Sequence, residues 1–194
     1  MPPKTSSNGC PWWNEKYGLL QFIRFSTQDE SESKLDLAFW KIQSADLIHV
    51  TKSAGRCIVH LNFHECGQLT DDSIKYLSEN WHLRGADRWS GTDASKLYAH
   101  LNHNLTHLNL SCCKQLTNLC CKYISSFARL LSLNLNDCIL IDNRGLMDIM
   151  NGLKYLEEIH ISNLNRLHDE SMPFIIRNLV LMKRLHVMGE YDCR

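Results

Sequence analysis

The chain has 194 residues, 21 basic and 21 acidic side chains and a formal net charge of zero, a balance that offers nucleic acid or an anionic membrane no long-range attraction. With 44% hydrophobic and 9% aromatic residues it has apolar content for one large core or one long repeat array, and no stretch approaches the roughly 18 apolar residues of a membrane span. The opening MPPKTSSNGCPWWNEKYG lacks both an apolar run with a small-residue cleavage site and an Arg-rich amphipathic pattern, so the expected location is the cytoplasm or nucleus, where the nine cysteines stay reduced.

Residues 1 to 33 divide into a polar start, the apolar patch YGLLQFIRF and the charged stretch STQDESES. The expected role is a capping or linker segment, with Leu19, Leu20, Phe22, Ile23 and Phe25 covering the open apolar end of the region that begins at Lys34.

From Lys34 to Arg194 one pattern recurs, L-x-x-L-x-L-x-x-C-x-x-L-T-D/N-x-x-L-x-x-I. Its central apolar residues are Leu35, Leu61, Leu108, Leu133, Ile159 and Leu185, spaced by 26, 47, 25, 26 and 26 residues. The L-x-L segment alternates as a strand does, and the later L-x-x-I spacing suits a helix face. A strand–turn–helix unit cannot bury its apolar row alone, so stacking is expected. The predicted fold is an α/β leucine-rich-repeat solenoid with parallel strands on a concave face and helices on the convex one. The long spacing after Leu61 is one unit of 26 plus 21 further residues and reads as an insertion at about 79–104. Its Trp81 and Trp89, with Arg84 and Arg88, are residue types enriched at protein contacts.

The frame also assigns cysteines. Cys66, Cys113 and Cys138 share one column just after the strand and are expected inside as small, weakly polar side chains. Cys121 falls on the buried helix position shared with Ile74, Leu146 and Met172, whereas Cys112 and Cys120 fall on outward positions. Of the four cysteines Cys112, Cys113, Cys120 and Cys121, two face in and two out, so they do not converge as a zinc site requires.

Residues flanking each central leucine are expected on the concave face: Asp36, Asn62, Asn109, Asn134, His160 and His186 after it, and Lys34, His60, His107, Ser132, Glu158 and Arg184 before it. From these the candidate partner-binding set is Asn62, His107, Asn109, Asn134, Glu158, His160, Arg184 and His186, with Trp81 and Trp89 from the insertion. His160 and His186 on adjacent strands near Glu158 are open to zinc, but the reading adopted is exposed histidines on a binding face, with no metal and no cofactor. No G-x-S-x-G, H-E-x-x-H or Gly-rich phosphate loop occurs, and no catalytic residue is expected.

The stretches CIVHLNFHECGQLTDDSIKYLSEN and LLSLNLNDCILIDNRGLMDI resemble the cysteine-containing leucine-rich repeats of the F-box/LRR family, and are also similar to those of antagonist-of-mitotic-exit-network proteins. The resemblance runs from Lys34 to Met188. It implies a substrate-recognition repeat region of a ubiquitin-ligase receptor, acting in proteasomal degradation, with a cullin-ligase adaptor as a further partner where an F-box accompanies the repeats. Residues 1 to 33 carry no Leu-Pro start of that motif. A finer similarity, to the repeat type of the ciliary dynein regulatory complex, implies instead an assembly subunit without a ubiquitin role.

Overall fold

A computed structural model describes residues 34–43, 45–47, 58–80, 105–168, 173, 177 and 183–187. Within them, six three-residue strands form one all-parallel sheet whose spatial order follows the chain: β1 Lys34–Asp36, β2 His60–Asn62, β3 His107–Asn109, β4 Ser132–Asn134, β5 Glu158–His160 and β6 Arg184–His186. The helices whose bounds are described are α1 Asp71–Asn80, α2 Asn118–Ile124 and α3 Asn143–Gly152; residues 45–47, 173 and 177 are helical too. Strands pair residue for residue, with Leu35, Leu61, Leu108, Leu133, Ile159 and Leu185 in one file. The sheet is open, with β1 and β6 as its edges among the described residues. No helix among them is long and apolar enough to cross a membrane.

Strands this short carry few ladder bonds, so the apolar file sets their position. The central residues of β1 to β5 are buried, while Leu185 on edge strand β6 is only partly so. A second buried file, Leu37, Phe63, Leu110, Leu135 and Ile161, lies two residues on. Burying one such side chain stabilises by about 1.5–3 kcal/mol.

Beneath this runs the cysteine column. Each thiol donates to the carbonyl of the preceding unit's second file: Cys66 to Leu37 at 3.1 Å, Cys113 to Phe63 and Cys138 to Leu110 at 3.2 Å. Burial pushes the Cys66 and Cys113 thiols up to about 12 and Cys138 upward as well. These cysteines are therefore donors between neighbouring units, inert as nucleophiles.

The residue before each column position turns through the left-handed region. Phe39, Glu65, Cys112, Asp137 and Asn163 have φ between 57° and 65°, and none is glycine. The conformation aims each N–H at the neighbouring unit: Phe39 donates to His64 O, Glu65 to Ser111 O, Cys112 to Asn136 O and Asp137 to Ser162 O, all at 2.8–3.0 Å. Asn and Asp tolerate this region, whereas for the bulky Phe39 it is strained.

One expectation fails in the helices. Cys120, assigned an outward position, is fully buried, with its Sγ 3.9 Å from that of Cys121. The reason is that α2 packs against α1 on one side and α3 on the other, so its buried arc is wider than a single amphipathic stripe. The equivalent positions, Ser73 and Gly145, are buried too. Close approach demands small residues there: a Cβ on Gly145 would stand 2.6 Å from Asn118 Oδ1 and 3.0 Å from Cys121 Sγ.

The expected cap at 1–33 and residues 81–104 of the expected insertion lie outside the described residues. Glu79 and Asn80, placed at the start of that insertion, are the last residues of α1.

Candidate functional site

In β2 to β5 the middle residue is buried and the two flanking residues are partly exposed. Because strand side chains alternate, the first and third residues of every strand share the face opposite the core. The structure accordingly brings Asn62, His107, Asn109, Asn134, Glu158, His160, Arg184 and His186 onto one open face. A groove of about 350 Å³ crosses it from Lys34 and Asp36 on β1 to His160 on β5. Trp81 and Trp89 lie outside the described residues.

At the Asn end of this face the third-position side chains are held by their own loops. The Ala38 N–H donates to Asp36 Oδ1, His64 N–H to Asn62 Oδ1, Ser111 N–H to Asn109 Oδ1 and Asn136 N–H to Asn134 Oδ1, each at 3.0 Å. These are Asx-type turns that satisfy a backbone donor just before the left-handed residue. Asn62 Nδ2 also donates to Asp36 Oδ1 at 2.9 Å, and Ser111 Oγ to Asn109 Oδ1 at 2.7 Å.

The pattern breaks at β5. There Asn136 of the preceding unit reaches across, its Oδ1 accepting the Ser162 N–H at 2.7 Å. His160 is thereby relieved of the capping task and engages other side chains. Its ring stacks on that of His186 with centroids 4.1 Å apart and planes 1° from parallel. Both converge on one carboxylate oxygen: Glu158 Oε1 lies 3.3 Å from His160 Nε2, 3.5 Å from His186 Nε2 and 3.3 Å from Arg184 Nε.

A second imidazole pair sits in the groove on β2 and β3, at the first strand position, two residues earlier in the frame than His160 and His186. His60 and His107 stack at 3.8 Å, and His107 Nδ1 lies 2.8 Å from Thr106 Oγ1. Both pKa values fall below the ordinary 6.5. Burial is the main cause for each; His107 and Lys34 add to it at His60, while at His107 the upward pull of Glu158 is outweighed by burial and Lys34.

Several site residues escape the strand frame because they sit in the loops. His64 Nδ1 is 2.7 Å from Ser111 Oγ, and the exposed Phe39 ring meets His64 edge-on at 5.0 Å. These border a second depression of about 490 Å³ beside the groove. The signal available for them was the N-F-H-E-C and N-L-S-C-C run after the strand, where polar residues recur two positions past each Asn.

No family model matches the sequence, and no curated protein matches it. Among solved structures, the fold is similar to leiomodin-1 actin-binding site 2, with a TM-score of 0.49 and 11% identity over 90% of this chain and 78% of that one. It is also similar to a chain of the Rad7 and Elc1 complex in yeast, with a TM-score of 0.45 and 15% identity over 74% of this chain and 39% of that one.

Proposed function

We propose that the chain is a leucine-rich-repeat solenoid of F-box/LRR type acting as a non-catalytic protein-interaction module, the substrate-recognition region of a ubiquitin-ligase receptor. The observation that supports it is the open face, where in-register strands present a broad array of polar side chains that the core does not use. The partner docks across the groove, contacting His107, His160 and the Glu158, Arg184 and His186 group. The Asn row beside them contributes its amide Nδ2 groups while each Oδ1 stays on its loop. The expected setting is cytoplasmic, with nuclear or ciliary use compatible with the same surface.

A second reading, favoured by the resemblance to the repeats of the ciliary dynein regulatory complex, is a structural subunit of a large assembly with no ubiquitin role. Affinity capture from cells with the full chain and with a His107→Ala/Arg184→Glu variant separates them. Co-purifying cullin-ligase components that depend on the receptor support the first reading, and a stable assembly without them supports the second. A folded variant that captures the same partners at wild-type strength would move the docking site off this face.

A further inference from the structure

We propose that Glu158, His160 and His186 form a binding site for a borderline divalent transition-metal ion, zinc being the reference case, with two imidazole nitrogens and one carboxylate oxygen as ligands. Among the described residues they are a set whose ligand atoms all lie within 4.8 Å of one another. The site is independent of the protein-interaction reading, since it needs no partner to form.

The placement follows from the strands. Glu158 and His160 are two residues apart on β5 and share a face, while His186 is the paired neighbour of His160 on β6. Strands about 4.7–4.9 Å apart hold paired side chains within reach of a common ion.

The distances fit. Zinc bonds of about 2.0–2.1 Å in tetrahedral geometry put ligand atoms about 3.3–3.4 Å from one another. Glu158 Oε1 already lies 3.3 and 3.5 Å from the two Nε2 atoms. The same distances are long for N–H···O bonds, which cluster at about 2.7–3.2 Å, so the carboxylate oxygen is shared loosely among donors instead of committed to one. The rings lie parallel with centroids 4.1 Å apart; a metal takes the place of any proton on Nε2, so binding proceeds with both rings neutral and each Nε2 unprotonated, turned about χ2 toward one point.

The ligand chemistry limits the ion. Imidazole with carboxylate suits zinc, copper, nickel or iron, whereas calcium and magnesium take oxygen donors. Three protein ligands leave a fourth position to solvent or to a donor on a docked molecule. His186 is 47% exposed, which leaves a path for entry.

Arg184 opposes the ion. Its Nε sits 3.3 Å from the same Oε1, and its side chain is 67% exposed. It competes as a tethered cation on a long, mobile stem and can swing into solvent when a metal arrives. Hence the test carries two opposite signs: removing a ligand weakens binding, and removing Arg184 strengthens it.

The full chain, stripped with chelator, is titrated with cobalt(II) chloride and then with zinc sulfate in competition. One equivalent should bind, with visible d–d bands and no near-ultraviolet sulfur-to-cobalt charge transfer. His186→Ala, on the edge strand, and His160→Ala should each weaken binding by at least about tenfold. Arg184→Ala should tighten it several-fold, and His107→Ala should leave it unchanged. Thermal unfolding verifies each variant as folded; should His160→Ala fail to fold, His186→Gln and Arg184→Ala still decide. Absence of binding at millimolar cobalt, sulfur charge-transfer bands that put the ion on cysteines, undiminished binding by His186→Ala, or weaker binding by Arg184→Ala would each overturn the site.

Discussion

The two halves of the open face use one backbone position for different ends. From β1 to β4 the residue after the central leucine is Asp36, Asn62, Asn109 or Asn134, and each spends an oxygen on a backbone N–H of its own loop. At β5 and β6 it is His160 or His186, stacked on each other and gathered around Glu158. The exchange is possible because Asn136 takes over the Ser162 N–H from next door. At β5 the position is thus released for binding chemistry while another residue covers the donor it would have capped.

The comparison has a measurable scale. Its upper end is the shared core: Leu133→Ala, at a fully buried site, is expected to cost about 2–5 kcal/mol on denaturant unfolding. Equal losses from Leu133→Ala and its neighbour Asn134→Ala would show the strand to be out of register.

Next come the caps. Asn134→Ala and Asn136→Ala each remove one hydrogen bond to a loop N–H, and a loss of about 0.5–1.5 kcal/mol is expected for each. His160→Ala, which removes no backbone partner, should stay within about 0.5 kcal/mol of the parent. If His160→Ala costs as much as Asn134→Ala, the division into a capping half and a released half collapses.

The smallest effect is proton-linked and belongs to the Asn half. His60 and His107 have folded pKa values below 6.5, so the unfolded chain takes up protons first as pH falls. Their contribution is fully present above about 6.5 and is lost as pH drops through that value toward the lowered folded one. The charged groups facing them are Lys34, which reinforces the shift, and Glu158, which opposes it at His107. Unfolding measured at pH 7.5 and 5.5 should show stability falling with acidity, and His107→Gln should shrink that difference; an unchanged difference in the variant would assign the proton uptake elsewhere.

Much of this was legible in the repeat frame. Counting from Leu35 to Leu185 gives the strand positions, the register and the inward column of Cys66, Cys113 and Cys138, because period-two alternation and a fixed repeat leave few choices. What the frame could not supply was the partner of each group. The thiol acceptor is a carbonyl of the preceding unit, which depends on how units stack. Asn134 looks like a free surface amide until the left-handed turn at Asp137 brings the Asn136 N–H onto it. Cys120 looks outward if α2 is taken alone, since a single stripe ignores flanking helices. The small residues Ser73, Cys120 and Gly145 at one frame position were the available clue to that burial.

The file of paired residues has a last consequence, for the topology of the chain. Leu61 and Leu108 are 47 positions apart, yet they pair with the same zero offset as Leu108 and Leu133, which are 25 apart. Contour length between β2 and β3 is therefore uncoupled from sheet geometry: the described structure leaves at Asn80 and resumes at Leu105 without a phase change. Alignment of the six strands is thus set by the paired file itself and not by the number of residues that separates its members.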